Sequence, residues 1–241
     1  MRMFHKPAAA IALLLAAALW TGGASAQTQC ANRGDLDQRY CDEDGDLVAD
    51  RPKDPKLWPN PSTLIFSYTP VEDPAVYENV FAEFMAYLGK VTGKRVRWFP
   101  AESYAAQVEA MRSGRLHIAG VATGPTPFAV NLAGFVPVVA MQRADGSVGY
   151  TLQLITHRAN AIRTVMDLKG KRVAHVAPSS NSGDIAPRAL FKALGVEPGK
   201  DYQVLYSGKH DNSIMGVVNK DYDAAPVAST VVERMQARGM F

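Results

Sequence analysis

From Leu64 onward, short apolar runs alternate with stretches in which apolar residues recur every three or four positions, which predicts strands and helices in turn. Leu64-Ile65-Phe66-Ser67-Tyr68, closed off by Pro70, predicts a buried strand. Asp73-Pro74 opens a helix in which Val76, Val80, Phe81, Phe84, Met85 and Leu88 keep helical spacing up to Gly93. Residues 95–100 predict the next strand, 104–112 a helix stopped by Gly114, and 116–122 a third strand. A second series follows Gly149, with strands at 150–156, 172–176, 202–206 and 223–227 and helices at 165–168, 182–194 and 212–218. Strands that alternate with helices imply α/β layers with parallel or mixed sheets flanked by helices. Two such series joined near Asp145 imply two lobes with a ligand cleft between them, the first over residues 61–146 and the hinge and second over 147–241. The chain stops at Phe241 without a return crossing, so the C-terminal part of the first lobe is expected to be missing.

The residues ahead of this pattern behave differently. Arg2, His5 and Lys6 precede an apolar run from Ala8 to Trp20, and Ala24-Ser25-Ala26 supplies the small residues that signal peptidase accepts, so residues 1–26 predict a cleaved secretory signal and a periplasmic protein. The apolar run is shorter than the roughly 20 residues that span a bilayer, and no Cys follows the cleavage point to carry a lipid. Residues 27–60 are rich in Asp, Arg and Pro and predict an extended leader. Cys30 and Cys41, the chain's 2 cysteines, both lie in it and are expected to form a disulfide in an oxidising compartment.

Charge adds one exclusion and one candidate site. A formal net charge of +3, without a run of Lys or Arg, leaves no footprint for nucleic acid. Within the leader, Asp42, Asp44, Asp46 and Asp50 stand at relative positions 1, 3, 5 and 9, with Gly45 to let the loop turn and the Val48 carbonyl as a further oxygen. This spacing resembles the short calcium loops of thrombospondin type 3 and dockerin repeats, although Lys53 stands where an EF-hand has its final Glu. A structural calcium ion and a solvated acidic linker both remain open; no other cofactor is implied.

The segment richest in chemistry is Pro178-Ser179-Ser180-Asn181-Ser182-Gly183, which follows a strand and opens a helix. The first amides of a helix lack backbone partners and sit at its positive end, so hydroxyls there build an anion cradle, although Ser179 or Ser180 could equally serve as a simple cap. His210 follows the strand at 202–206. Ligands of parallel α/β sheets lie beyond the carboxyl ends of the strands, so His210 and Ser180 to Ser182 should face one crevice. His117 and His175 fall inside predicted strands and are expected to pack or face outward.

Taken in order, Tyr104 after Pro100-Ala101, Ala144 to Tyr150, Asp167-Leu168-Lys169-Gly170-Lys171, Ser180-Asn181-Ser182-Gly183 and Gly208-Lys209-His210 resemble the phosphonate, phosphite and phosphate-binding periplasmic proteins of ABC importers. The resemblance covers residues 64–235 and implies a periplasmic-binding-protein-like fold. It also implies that Ser180, Asn181, Ser182 and His210 hold the phosphorus-bound oxygens, that Tyr104 and Tyr150 reach in from the first lobe and hinge, and that Thr123 and Thr126 contribute more weakly, with Tyr68 weaker still. Two departures stand out: Asn181 replaces the family's usual Thr, and Ala228-Ser229-Thr230 lacks the carboxylate that amino-bearing phosphonates pair with.

The expected function is therefore the extracytoplasmic binding component of an ABC importer, a monomer that takes a small phosphorus oxyanion and docks on an inner-membrane permease. The rival is a sensing protein of the same fold that presents an oxyanion such as arsenite to a membrane sensor kinase. Catalysis is not expected, because Ser180 and Ser182 lack the Gly-x-Ser-x-Gly elbow of hydrolases.

Overall fold

A computed structural model describes residues 30–241; the expected signal segment lies outside them. The first sheet has three parallel strands in the order β2-β1-β3, with β1 at Thr63–Tyr68, β2 at Arg95–Trp98 and β3 at Ile118–Gly120. The second has four strands in the order β4-β7-β5-β6, namely β4 at Leu152–Thr156, β5 at Arg172–His175, β6 at Gln203–Tyr206 and β7 at Ala224–Ala228. In it β5 runs parallel to β6 and β7, whereas β4 is antiparallel to β7, so this sheet is mixed.

Helices cover both sheets. The stretch after Pro74 forms two helices, α1 (Ala75–Val80) and α2 (Ala82–Thr92), because Phe81 leaves helical geometry at φ −94°, ψ 6° and turns its ring into an aromatic cluster with Phe66, Phe84 and Trp98. Helix α3 (Tyr104–Arg112) is capped by Ser103, whose hydroxyl accepts from the Ala106 N–H. Helix α4 (Thr126–Ala133) was not expected from the pattern. Pro125 and Pro127 start it with φ already set, and Gly134 at φ 64° ends it in the left-handed region. In the second lobe, α5 (Ala186–Ala193), α6 (His210–Val218) and α7 (Ser229–Ala237) complete the layers. The pattern also missed α7, since Thr230, Val231 and Val232 are β-branched and favour strand geometry on their own; packing of Val231, Val232 and Met235 against α6 and β7 overrides that preference.

The leader is more closely held than an extended segment would be. Cys30 and Cys41 are disulfide-bonded with their Cα atoms 5.5 Å apart. Arg39 donates to the Arg112 and Leu132 carbonyls (3.1 and 2.6 Å), the Tyr40 hydroxyl donates to Ala133 O (2.9 Å), and the Asp37 N–H to Asn131 O (2.7 Å). These bonds tie the leader to the C-terminal ends of α3 and α4. No helix among the described residues is long and apolar enough to cross a membrane.

Candidate functional site

The lobes meet where the carboxyl ends of β1 and β3 face those of β5 and β6. Ser180 caps the turn that follows β5: its Oγ accepts from the Gly183 N–H at 3.2 Å, and its carbonyl accepts from the Asp184 and Ile185 N–H groups. The capping reading is thus correct without excluding a ligand role. Residues 181–185 form a wider π-type turn before α5. Gly183 is needed there, because a Cβ would lie 2.5 Å from Val176 Cβ. The turn is braced from below by a buried network in which His175 Nδ1 donates to Asp184 (2.7 Å), Tyr202 O–H donates to His175 Nε2 (2.7 Å) and Arg188 Nε donates to Asp184 (2.9 Å). Burial alone would push the Asp184 carboxyl up, yet the bonds from His175 and Arg188 hold it below the ordinary range, so it accepts as a carboxylate. His175 therefore has a buried bracing role.

His210 is the first residue of α6 rather than a residue ahead of it, and it is 2% exposed. The Ala228 N–H donates to its Nδ1 at 3.2 Å, which places the single ring proton on Nε2. Nε2 faces Ser180 Oγ at 3.4 Å, a long bond that the ring can exchange for a better acceptor. Burial, reinforced by the nearby positive charge of Arg234, pushes the imidazole down to about 4. At neutral pH His210 is thus an uncharged donor.

Tyr104 opens α3 and sends a 97%-buried ring into the cleft, where its hydroxyl finds no hydrogen-bond partner; its residual exposure is 3%. Burial pushes this phenol well up, with the Ser180 side chain acting in the opposite direction. Ser182 Oγ is likewise buried and unpartnered. A buried hydroxyl without a partner costs roughly 1–3 kcal/mol, so two of them beside one helix start are an arrangement that a bound acceptor would relieve.

The remaining expected residues divide. Thr123 Oγ1 and Tyr150 OH bond each other at 3.0 Å across the cleft mouth. Thr126 turns inward, donating to Ala122 O at 2.9 Å as the first residue of α4. Asn181 is half-buried on the turn itself, and Tyr68 packs its ring against Tyr77 and Phe81. Among the acidic residues, oxygens of Asp42, Asp44 and Asp46 lie within 4.8 Å of one another, whereas Asp50 stands apart from this group and accepts from the Glu43 N–H.

Two features escaped the sequence reading. Gly124 lies so close to the second lobe that a Cβ would stand 2.1 Å from Ser179 O and 2.7 Å from Asn181 N. The Gly-Pro-Thr-Pro string at 124–127 was the available signal for a special turn. The other is Glu72, fully buried, which accepts from Tyr77 O–H (2.7 Å) and Arg234 Nε (2.7 Å) and also pairs with Arg238. Burial would raise its carboxyl, but these partners hold it below its ordinary value. With the Val71 carbonyl accepting from the His210 N–H (3.0 Å) and Glu102 paired with Lys209 (3.3 Å), the lobes are closed on each other.

Residues 66–240 match the family described as "ABC transporter, phosphonate, periplasmic substrate-binding protein". The chain belongs to this family. It is 28% identical over 198 residues to the phosphate-import protein PhnD of Mycolicibacterium smegmatis, covering 77% of this chain and 61% of that protein. It is also 28% identical over 146 residues to the phosphonates-binding periplasmic protein of Escherichia coli, covering 59% of this chain and 43% of that one. Among solved structures, the binding protein component of an ABC phosphonate transporter from Pseudomonas aeruginosa superposes with a TM-score of 0.66 at 25% identity, covering 73% of this chain and 60% of that one. PhnD1 of Prochlorococcus marinus, solved with methylphosphonate, gives 0.65 at 23% identity, covering 73% and 67%. The chain thus has the two-lobed periplasmic-binding-protein fold, in a family of solute-binding proteins rather than enzymes. It spans 61% and 43% of the two curated relatives' lengths.

Proposed function

We propose that this protein is the extracytoplasmic binding component of an ABC importer and that its ligand is a small phosphorus oxyanion: a phosphonate, phosphite or phosphate. The observation that carries the reading is the convergence on one cleft of an open helix start at Ser180–Ser182, a neutral His210 with its proton on Nε2, and two buried hydroxyls, Tyr104 and Ser182, that lack partners. All four offer protons and none offers a negative charge. An oxyanion accepts several hydrogen bonds at once, and bonds to a charged acceptor are shorter and about twice as strong as neutral ones.

Selectivity follows from the same groups. With His210 uncharged, the cleft discriminates by the number of donors and by the positive end of the turn, which suits a compact tetrahedral ligand. Ala228-Ser229-Thr230 places a backbone N–H on His210 and no carboxylate, so an ammonium-bearing tail would go unpaired. Affinity for aminoalkyl phosphonates should therefore fall below that for methylphosphonate. Because Tyr104 and Gly124 come from the first lobe and Ser180 and His210 from the second, a ligand held by both favours the closed arrangement by its differential affinity. The closed form would dock on a membrane permease, and residues 1–26 would direct export to the periplasm.

Calorimetric titration with methylphosphonate, phosphite, phosphate, 2-aminoethylphosphonate, sulfate and arsenite tests this. Saturable binding of a phosphorus oxyanion is expected, and His210→Ala and Ser180→Ala should each weaken it by roughly 1.5–3 kcal/mol. Binding of none of the phosphorus oxyanions, or undiminished affinity in both variants, would overturn the assignment.

A further inference from the structure

The acidic loop of the leader has no part in the oxyanion cleft, and although residues 43–47 are exposed, one of its aspartates is buried. Asp42 is 1% exposed, and its two carboxylate oxygens are treated unequally: Oδ2 accepts from the Leu47 N–H at 3.2 Å, while Oδ1 is buried without any partner. Taking a carboxylate oxygen out of water without a donor or a counter-charge is among the costlier arrangements in a protein. One oxygen from each of Asp42, Asp44 and Asp46 lies within 4.8 Å of the other two, so three negative groups crowd the place where that uncompensated oxygen stands. Among the described residues no Lys or Arg forms an ion pair with any of the three: Arg39 goes to Asp37 at 2.8 Å, Lys53 to Glu43 at 2.9 Å, and Arg51 lies over the Trp58 ring. We propose that Asp42, Asp44 and Asp46 hold one calcium ion.

The donor chemistry favours this ion over others. Every candidate donor is an oxygen, and no His or Cys belongs to the group, so thiophilic and imidazole-seeking metals are poorly matched. The three aspartates stand on a short irregular loop without regular secondary structure, and calcium tolerates the uneven, high coordination such loops give, with water and backbone carbonyls filling the shell. Magnesium demands a tighter octahedron and keeps its own water.

The position of the loop gives the ion a task. The disulfide lies next to it, the Asp42 N–H donates to Asn32 O (3.1 Å) and the Asp50 N–H to Cys41 O (2.8 Å), so the loop closes on the same short segment that Arg39 and Tyr40 fasten to α3 and α4. A bound cation would lock the leader onto the helix that carries Tyr104.

The test is calorimetry of the purified protein, stripped with chelator and titrated with CaCl2 and separately with MgCl2. We expect one calcium per chain with a dissociation constant of about 10⁻⁴ M or tighter, in the range of extracellular calcium modules, and magnesium binding at least about tenfold weaker. Asp44→Asn combined with Asp46→Asn should weaken calcium binding by at least about tenfold, since each removes a charged ligand. Both side chains are exposed, so the variant should melt like the parent protein in chelator. Calcium should also slow proteolytic cleavage of the leader in the parent protein and not in the variant. No saturable heat up to about 10 mM CaCl2, well above that affinity range, would overturn the proposal, as would an isotherm unchanged in the double variant or equal affinity for magnesium.

Discussion

Replacing Gly124 by Ala should act as a wedge between the lobes. The added Cβ would stand 2.1 Å from the Ser179 carbonyl oxygen and 2.7 Å from the Asn181 nitrogen, both backbone atoms of a turn braced by the His175–Asp184 network. Carbon makes comfortable contact only at about 3.5 Å, so the two lobes must part by roughly 1.4 Å at this point or the turn must deform. Overpacking of this kind costs typically 1–3 kcal/mol. The penalty falls on the closed state alone, since an open protein separates Gly124 from Ser179. A cost of about 2 kcal/mol reduces the closed fraction and weakens apparent affinity about 30-fold, while every side chain proposed to bind the ligand is kept. Titration of parent and variant with methylphosphonate and phosphate measures that loss, and small-angle scattering with ligand present reports whether the variant stays more open. The melting temperature of the ligand-free variant should stay within about 2 °C, corresponding to less than about 1 kcal/mol. Unchanged affinity would refute the closure argument, and so would a loss of binding matched by an equal loss of ligand-free stability, because that pattern describes local packing damage.

Two further outcomes follow from the charged groups. His210 is held at about 4 when folded against an ordinary value of 6.5, so below 6.5 the unfolded chain takes up a proton that the folded protein refuses; stability is full above 6.5, falls as pH drops toward 4 and then levels. Between pH 7 and pH 5 that amounts to about 2 kcal/mol, from roughly 1.5 pH units at 1.36 kcal/mol each, and urea unfolding should show it in the parent but not in His210→Gln; an equal pH dependence in both proteins would contradict the assignment. Glu72→Gln removes the charge that joins Arg234 and Arg238 to the first lobe, and because those arginine side chains are 40% and 38% exposed the coupling is screened to about 1–3 kcal/mol. A double-mutant cycle with Arg234→Met should recover that coupling, and a value under about 0.5 kcal/mol would remove the interlobe latch.

Much of the molecule was legible before any coordinates. Apolar periodicity located the seven strands of the described residues to within a few residues, because a buried strand or an amphipathic helix needs its apolar side chains at fixed spacing whatever it packs against. The Ser180 turn and His210 could be singled out as candidates because their chemistry is local: hydroxyls at a strand-to-helix junction, and an imidazole one strand later. Helices α4 and α7 were not found: the prolines at 125 and 127 read as a loop signal although they start α4, and the β-branched residues of α7 favour strand until tertiary packing outweighs them. Nor could the sequence reveal that Ser182 and Tyr104 carry unpartnered hydroxyls, that Gly124 touches Ser179, or that Glu72 gathers two arginines from 162 and 166 residues away. Those are facts about which surfaces meet. Composition and spacing determined that this chain would build two α/β layers with a hydroxyl-rich turn at a strand-to-helix junction. Only the closing of one lobe on the other decided which side chains face that turn, because contacts between distant segments depend on how whole elements pack and leave no mark in the local pattern.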